Sequence, residues 1–358
     1  MKIAVTLGTR PEIIKMAPII KLLERLGRDY FILHTGQHYS YEMDRVFFQE
    51  LSLPSAKYNV GAGSGTHAHQ TAQILMGVED ILKEEKPDIL LAEGDTNSVL
   101  ASVLAATKLR ISTGHVEAGL RSWDRTMPEE INRILADHCC DDLYAPTERS
   151  VANLRAEGIP AEKTFLTGNT IVDVVYEVRD RAAGNPAILR DNGIKPKQYF
   201  LVTVHRQENV DDPKRFADIL LAIRTLASRH KCPAIYPIHP HSRKNIELFG
   251  LDTRGLTLIE PANYMGFLAL ELNASLVLSD SGGVQEETCI LQVPCVTLRN
   301  NTERPETVEV GGSVLAGASP ELILTSAELM LSKKADWPNP FGDGHAAEKI
   351  IQAIDRTR

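Results

Sequence analysis

The sequence has few cysteines and no hydrophobic run long enough to cross a membrane. Its five cysteines are an odd number and show no CxxC spacing, which indicates reduced thiols in the cytosol rather than a disulfide framework. No stretch contains the roughly 20 consecutive apolar residues of a membrane span, and the apolar start is too short for a signal peptide because charge returns at Arg10. We therefore expect a cytoplasmic protein without a membrane partner.

A surplus of positive charge is also lacking. The formal net charge is −8 at pH 7, and the lysine and arginine residues form no stripe, so nucleic acid is not an expected partner. An anionic ligand would have to be held by a few cations and by backbone amides. The 358 residues of the chain suffice for two domains of about 100–200 residues each.

What the sequence does contain is a regular alternation of apolar runs of strand length with amphipathic stretches of helix length. The predicted strands are residues 2–7, 31–33, 88–92, 111–116 and 143–145 in the first half, and residues 200–204, 234–238, 256–259, 276–278 and 295–297 in the second. This alternation is typical of a parallel sheet covered by helices on both faces. It predicts an α/β fold of two Rossmann-like doubly wound domains whose strand ends face a central cleft.

The alternation pauses between residues 168 and 195, where glycine and proline cluster around residues 184–186 and 193–196. Such clusters mark loops, so we place the hinge there. The predicted N-terminal domain is residues 1–170 and the predicted C-terminal domain is residues 171–344. The tail, residues 345–358, is predicted to form a helix that packs back on the N-terminal domain.

Two strand-to-helix turns carry groups that suit phosphate. In residues 279–287, Gly282 and Gly283 let the backbone approach a ligand, and the free N–H groups of the helix start favour an anion. A serine or aspartate cap followed by a glycine turn explains the same pattern. After the first strand, Arg10 and Lys15 could reach phosphates, although Lys15 could equally lie on a solvated helix face.

Acidic residues follow the strands of the first half. Asp95 and Glu117 each come just after a predicted strand, and Glu129 and Glu130 open the helix that begins at Pro128. Carboxylates are common at helix N-termini, but several that converge on one cleft favour acid–base chemistry. Periodicity does not decide between Glu129 and Glu130. The core stripe of their helix is predicted at Ile131, Ile134, Leu135 and His138.

Further candidate residues lie in the second half. His205 ends its first strand, a position that suits proton transfer or phosphate contact. Arg299 and Arg304 follow its last predicted strand and could clamp a diphosphate or form surface ion pairs. Two His-x-His pairs, at residues 67–69 and 239–241, lack a further ligand at suitable spacing, so we predict no metal site.

Seven motifs occur in order over nearly the whole chain: GTRPE at 8–12, GDT at 94–96, HVEAGLR at 115–121, PEEINR at 128–133, HRxEN at 205–209, DSGGxQEE at 280–287 and TERP at 302–305. Taken together, they resemble those of the non-hydrolysing UDP-N-acetylglucosamine 2-epimerases. The resemblance implies the two-domain GT-B architecture of glycosyltransferases, a homodimer, and no cofactor. It also implies that the N-terminal domain carries the catalytic carboxylates and that the C-terminal domain binds UDP.

The resemblance assigns roles to individual residues. Asp95, Glu117 and Glu129 would be the acid–base carboxylates, assisted by His205, which favours Glu129 over Glu130. The residues implied to hold the substrate are Arg10, Lys15, Ser281, Gly282, Gly283 and Arg304 on the phosphates, Glu287 on the ribose and Phe267 against uracil. Departures from the family pattern are Gln207, where many members have a second arginine, and Ser40, where they have a glutamine of an allosteric site. We therefore expect no allosteric activation by substrate.

The implied reaction interconverts UDP-N-acetylglucosamine and UDP-N-acetylmannosamine. Because no carbonyl activates the C2 hydrogen, UDP first leaves C1, one carboxylate removes the C2 proton, and a second carboxylate reprotonates the opposite face of the 2-acetamidoglucal. The alternatives are a related UDP-2,3-diacetamido sugar, suggested by residues 121–127, a hydrolysing 2-epimerase, a GT-B glycosyltransferase, or a binding protein without activity.

Overall fold

The computed structural model describes residues 1–37, 41–184 and 187–358. Ser40, in the predicted allosteric loop, and residues 185 and 186 of the predicted hinge lie outside the described residues. The chain divides into two compact units: unit 1 is Met1–Val174 with Phe341–Arg358, and unit 2 is Val175–Pro340. No helix within the three described ranges is both long and apolar enough to span a membrane.

Unit 1 is built on seven parallel strands. They are β1 (Lys2–Leu7), β2 (Asp29–His34), β3 (Tyr58–Asn59), β4 (Ile89–Glu93), β5 (Ser112–Val116), β6 (Asp142–Ala145) and β7 (Thr164–Leu166). Their order in the sheet is β3-β2-β1-β4-β5-β6-β7, and Val5 at the centre of β1 lies between Ile32 of β2 and Leu91 of β4. The order reverses between β1 and β4, which is where doubly wound sheets bind their ligands.

Helices connect these strands and cover the sheet. They are α1 (Arg10–Arg25), α2 (Tyr41–Glu50), α3 (His67–Glu85), α4 (Asn97–Lys108), α5 (Pro128–Cys139) and α6 (Glu148–Ala156), with a 3-10 turn at Ala161–Lys163 and α7 (Thr170–Gly184) leading out of the unit. Helix α4 contacts both α3 and α5 and is buried along most of its length. Its small and apolar composition fits a helix that is covered on nearly all sides.

Unit 2 repeats the same plan with six parallel strands. They are β8 (Phe200–Thr203), β9 (Ala234–Pro237), β10 (Leu256–Ile259), β11 (Leu276–Ser279), β12 (Cys295–Thr297) and β13 (Ser313–Leu315). The sheet order is β10-β9-β8-β11-β12-β13, so it reverses between β8 and β11. Its helices are α8 (Ala187–Asp191), α9 (Gln207–Val210), α10 (Pro213–His230), α11 (Pro240–Phe249), α12 (Tyr264–Asn273), α13 (Gly282–Ile290), α14 (Pro305–Glu309) and α15 (Pro320–Ser332).

The last helix, α16 (Ala346–Thr357), belongs to unit 1, where it contacts α1. Asp173 accepts hydrogen bonds from the backbone N–H groups of Ala346 and Ala347 at 3.1 and 3.0 Å and thereby caps the start of α16. Arg28 adds a surface ion pair with Asp355 at 2.6 Å. The tail therefore returns to the sheet with which the chain begins.

The predicted core stripe of α5 is wrong. Leu135 and His138 are exposed, and Ile131 and Ile134 are only partly covered. The buried residues of α5 are Glu130, Asn132, Arg133, Ala136 and Asp137. Polar groups occupy this buried face because they bond to one another and to neighbouring turns, and buried polar groups are tolerated when they are paired in this way.

Candidate active site

The turn after β1 begins the candidate site in unit 1. Thr9 and Glu12 form a capping box at the start of α1, and Glu12 also accepts a hydrogen bond from the Thr96 hydroxyl. Burial raises the pKa of Glu12 to about 7, although these hydrogen bonds act in the opposite direction. Gly8 is required here because a Cβ atom would lie 1.9 Å from Ser98 Oγ. The guanidinium group of Arg10 lies over the Phe47 ring, 5.0 Å from its centre.

Lys15 points into the protein and not to solvent. Its Nζ is ion-paired with the Glu117 carboxylate and lies 3.6 Å from Glu93 Oε1, and all three side chains are buried. Asn169 donates a second hydrogen bond to Glu117 Oε2 at 2.9 Å. The alternative of a solvated helix face for Lys15 is therefore wrong, and the ammonium group faces two carboxyl groups at the end of the sheet.

Glu117 has an unusual backbone conformation. Its φ of +68° lies in the left-handed region, which is costly for a residue with a Cβ atom and is concentrated at functional sites. Gly119 follows with a φ of +84°, and a Cβ atom there would lie 2.4 Å from the Ser150 carbonyl oxygen. The chain thus turns sharply after β5, and the turn brings the Glu117 carboxylate to Lys15.

Side chains of α5 connect the turn after β4 with the loop that precedes the helix. Arg133 is ion-paired with both Asp95 and Glu130, and Asn132 donates to the Asp95 carbonyl at 3.0 Å. Glu130 is fully buried and accepts the backbone N–H of Ser122 at 2.9 Å. Because Glu130 is committed to these bonds and Glu129 is partly open to solvent, the two neighbours have different environments.

A buried charged network holds β5 against the turn that carries Asp95. His115 Nδ1 lies 2.6 Å from Asp137 Oδ1, and His115 Nε2 lies 2.7 Å from the Gly94 carbonyl oxygen. Burial opposes a charge on His115, but the Asp137 carboxylate outweighs it and raises the pKa of the imidazole. Asp137 also pairs with Arg121 at 2.7 Å. With an acceptor at each ring nitrogen, a doubly protonated His115 satisfies both bonds.

In unit 2 the corresponding strand ends carry His205 and Asp280. His205 Nδ1 lies 3.1 Å from Asp280 Oδ1, and Asp280 also accepts the backbone N–H groups of His205 and Arg206. Burial opposes ionisation of Asp280, but these bonds prevail and hold the pKa of its carboxyl group below the usual value. The His205 side chain is 46% exposed and lines a cavity of about 280 Å³ together with Phe267 and Ser281.

The two glycines at the start of α13 differ in what surrounds them. A Cβ atom on Gly282 would lie 2.5 Å from Glu303 Oε1, whereas one on Gly283 would have its nearest contact at 3.9 Å. Ser281 is the N-cap residue, and its hydroxyl accepts from Val284 N at 3.5 Å. A side chain at position 282 would therefore displace the Glu303 carboxylate, whereas one at position 283 would meet no close neighbour.

The cations after β12 are buried. Arg304 Nε donates to Glu286 Oε1 at 2.5 Å, and Arg299 Nη1 donates to Glu303 Oε2 at 2.7 Å. The alternative of an ion pair with Glu303 is therefore confirmed for Arg299, but its predicted place at the surface is wrong, because Arg299 is 1% exposed. A guanidinium group that is already paired is held in a fixed orientation, which suits recognition of a planar or doubly charged partner.

The sequence did not point to three residues of the candidate site, which are Glu93 and Asn169 in unit 1 and Glu271 in unit 2. Glu93 ends the apolar run of β4, and a carboxylate in that position was a signal that could have found it. Asn169 and Glu271 gave no local signal. Glu271 is fully buried beside Glu287 of α13, and burial, with the nearby Glu287 charge, raises its pKa well above the usual value. Among the residues that the structure describes, no three His, Cys, Asp or Glu side chains are grouped so as to hold a metal ion.

Comparisons with known proteins show similarity to one enzyme family along almost the whole chain. The family model described as UDP-N-acetylglucosamine 2-epimerase matches residues 21–355. The chain is similar to the UDP-N-acetylglucosamine 2-epimerase of Methanocaldococcus jannaschii, with 49% identity over 99% of each chain. It is also similar to the UDP-2,3-diacetamido-2,3-dideoxy-D-glucuronate 2-epimerase of Pseudomonas aeruginosa, with 38% identity over 99% of each chain.

A solved structure gives the same result for the fold. The crystal structure of the M. jannaschii UDP-GlcNAc 2-epimerase in complex with UDP-GlcNAc and UDP matches with a TM-score of 0.94 at 49% identity. The match covers 99% of this chain and 100% of that one. The predicted fold class, an α/β protein with two Rossmann-like domains of the GT-B type, is confirmed.

Proposed function

The chain belongs to the UDP-N-acetylglucosamine 2-epimerase family, and we propose that it interconverts UDP-N-acetylglucosamine and UDP-N-acetylmannosamine without net hydrolysis. The observation that carries the proposal is the environment of Glu117. This buried carboxylate is ion-paired with Lys15 and lies in a left-handed backbone conformation at the end of a central strand. A charged carboxylate held in such a strained and buried position is suited to proton transfer.

The first step is elimination. The bond between C1 and the UDP oxygen breaks, and its electron pair leaves with UDP. Positive charge at C1 makes the C2 hydrogen acidic, and Glu117 removes it as a proton while the C2–H electron pair forms the C1=C2 double bond. The products are UDP and 2-acetamidoglucal. Lys15 keeps Glu117 ionised and so able to accept the proton.

The second step reverses the first on the other face of the sugar. A second carboxylate, Asp95 or Glu129, donates a proton to C2, and the UDP oxygen attacks C1 to restore the bond. His205 assists at the phosphate. Two acid–base groups are needed because one carboxylate cannot reach both faces of a ring that stays bound. The ion pair with Arg133 fixes the position of Asp95 but favours its ionised form, so Asp95 acts as the proton donor only when that contact is exchanged on binding of the substrate.

In this proposal unit 2 holds UDP. The open helix start at Ser281, Gly282 and Gly283 offers backbone N–H groups to a phosphate, and Phe267 in the neighbouring cavity packs against uracil. Arg10 and Arg304 add positive charge to balance the diphosphate, and Glu287 accepts hydrogen bonds from the ribose hydroxyls. Together these donors stabilise UDP as it leaves, which lowers the barrier to elimination. Lys15, which the resemblance also assigns to the phosphates, is ion-paired with Glu117 instead, so we propose that its charge serves that carboxylate.

Deuterium incorporation tests the mechanism. When the protein acts on UDP-N-acetylglucosamine in D₂O, we expect both epimers at equilibrium to carry deuterium at C2, because the removed proton exchanges with solvent before C2 is reprotonated. Proton NMR of the intact UDP-sugars measures the loss of the H2 signal. Epimerised product that keeps hydrogen at C2 would contradict the elimination mechanism.

The same sample separates this reaction from hydrolysis. A non-hydrolysing epimerase leaves UDP-sugars as the main species, whereas a hydrolysing one accumulates free N-acetylmannosamine and UDP. A GT-B glycosyltransferase would change the sugar only when an acceptor is supplied. Phosphorus NMR distinguishes the diphosphate ester from free UDP directly.

A related sugar is the second candidate substrate. The observation in its favour is the similarity to the P. aeruginosa enzyme, which is named for a 2,3-diacetamido sugar. Residues 121–127 would contact the C3 substituent, and buried Glu130 holds that segment by accepting the N–H groups of Ser122 and Trp123 at 2.9 Å each. Comparing kcat/KM for UDP-sugars with a hydroxyl or an acetamido group at C3 decides between the two.

The protein is proposed to act as a homodimer, as the family resemblance implies. The outward face of α5 and the neighbouring α3 expose apolar side chains, with Leu135 44% and Met76 58% exposed. Burial of such side chains against a partner would remove apolar surface from water. A second copy of the chain is the partner that the resemblance predicts for it.

Light scattering tests the dimer. We expect the wild type at twice the 39.5 kDa of one chain and Leu135→Glu as a monomer, because the substitution places a charge in the proposed interface. Leu248→Glu is the matched control, since Leu248 is 69% exposed on α11 of the other unit and should leave the mass unchanged. A monomeric wild type would contradict the proposal.

A further inference from the structure

The carboxyl group of Glu93 has no role in the proposed reaction, yet it lies beside the Lys15–Glu117 ion pair. Glu93 is the last residue of β4 and is 2% exposed. Its Oε1 lies 3.6 Å from Lys15 Nζ, and the same ammonium group is ion-paired with Glu117. One buried cation therefore stands between two buried carboxyl groups.

The charges that face Glu93 come from each element around it. They are Lys15 and Glu12 from α1, Glu117 after β5, and Asp95 after Glu93's own strand. Glu12 is bonded to the backbone of its own helix start and to Thr96, and Asp95 is ion-paired with Arg133. Lys15 is the charge that Glu93 and Glu117 share.

Two negative charges beside one ammonium group are unfavourable in a buried site. If Glu93 were ionised, it would compete with Glu117 for Lys15 and would repel the Glu117 charge. If Glu93 is protonated, the ammonium group of Lys15 and the carboxylate of Glu117 form an ion pair with no net charge. Glu117 is then the one ionised carboxylate beside Lys15. The short contact of Lys15 with Glu117 and its longer one with Glu93 match the second arrangement.

We propose that Glu93 is a positioning residue whose carboxyl group is neutral in the active enzyme and thereby reserves Lys15 for Glu117. The inference rests on the proposed function, because it takes Glu117 as an acid–base group. Burial raises the pKa of Glu93 well above its ordinary value of 4.5, Lys15 opposes that rise, and the Glu117 charge adds to it. Ionisation of Glu93 at high pH should therefore weaken the Lys15–Glu117 pair and lower activity.

The test is the pH profile of Glu93→Gln. The profile is measured from about pH 5 to 10. Glutamine keeps the shape of a neutral glutamic acid, so at those pH values where Glu93 of the wild type is protonated we expect the kcat of Glu93→Gln within about threefold of the wild-type value. The wild type should lose activity as the pH rises through the pKa of Glu93, and this loss should be absent or shifted upward in Glu93→Gln. Glu84→Gln, an exposed change on α3, is the matched control and should follow the wild type.

A second measurement does not depend on the reaction. A carboxyl group whose pKa is raised on folding destabilises the folded state as the pH rises from the ordinary value of 4.5 to the folded pKa. The melting temperature of Glu93→Gln should therefore rise relative to the wild type over that interval and then stay constant. Glu84→Gln should show no such trend.

Three results would overturn the inference. Inactivity of a folded Glu93→Gln at every pH would mean that Glu93 works in its charged form. An unchanged loss of activity at high pH would assign that loss to another group, Glu12 among them. A melting-temperature difference that does not vary with pH would mean that Glu93 is ionised throughout. If instead the wild type puts no deuterium into C2, the proposed function fails while the melting curves still report on Glu93.

Discussion

Replacing Asp95 with asparagine should reduce turnover by about 10²–10⁴-fold, the usual effect of losing a general acid or base, while UDP still binds. Asparagine has the size of aspartate but cannot exchange a proton with C2. The fold should persist because Arg133, which pairs with Asp95, keeps its second partner Glu130. Proton NMR of the C2 epimers measures turnover, and calorimetry measures the affinity for UDP.

The matched control for this change is Asp80→Asn. Asp80 lies exposed on α3 of the same unit, so the substitution removes the same charge and should leave both turnover and affinity unchanged. Full turnover in Asp95→Asn would remove Asp95 from the chemistry. Equal losses of turnover and of UDP affinity, with an unchanged melting temperature, would assign Asp95 to binding.

Most of the strands could be predicted from the sequence because they contain short apolar runs, although β5, with the sequence STGHV, is more polar. β1, β10 and β12 begin and end at the predicted residues. The three strands that escaped prediction, β3, β7 and β13, all lie at sheet edges and have only two or three residues, partly exposed. Runs that short carry no periodicity from which a strand can be inferred.

Helix α5 shows where the hydrophobic pattern fails. Its apolar residues predict a core stripe through Ile131 and Leu135, but the face with Asn132, Arg133 and Asp137 is the buried one. These side chains are satisfied by partners far away in the sequence, such as Asp95 and His115. Periodicity cannot reveal such pairing, and departures of this kind are expected near functional sites.

The positions of the acidic site residues could be predicted from the sequence, but their partners could not. Asp95 and Glu117 stand out because they follow buried strands, and doubly wound sheets place such residues at their ligand-binding edge. The partner of Lys15 could not be inferred, since Glu117 is 102 positions away in the chain. The left-handed conformation of Glu117 leaves no mark in the sequence, because it depends on how the turn packs. Glu93 does leave one, since it ends the apolar run of β4, but its proximity to Lys15 cannot be inferred from that run.

Asp137→Asn is expected to destabilise the protein by about 3–5 kcal/mol, the cost of removing one partner from a buried ion pair. Asp137 is fully buried between His115 and Arg121 and also accepts the Gly119 N–H at 3.1 Å. Asparagine would leave His115 buried beside a neutral group, whereas Arg121 would keep its ion pair with Glu157. The free energy of unfolding in urea measures the loss. Asp355→Asn is the control, since its surface pair with Arg28 should contribute only about 0–1 kcal/mol.

The pH dependence of this loss follows from the two pKa shifts. Although burial opposes both charges, pairing raises the pKa of His115 above 6.5 and lowers that of Asp137 below 3.8. The histidine contribution is complete below pH 6.5 and disappears as the pH rises through its folded pKa, whereas the aspartate contribution is complete above pH 3.8 and disappears as the pH falls through its folded pKa. The stability difference between the wild type and Asp137→Asn should therefore be greatest between pH 3.8 and 6.5. A difference that is constant with pH, or no larger than that of Asp355→Asn, would mean that the network does not hold β5 against the turn of Asp95.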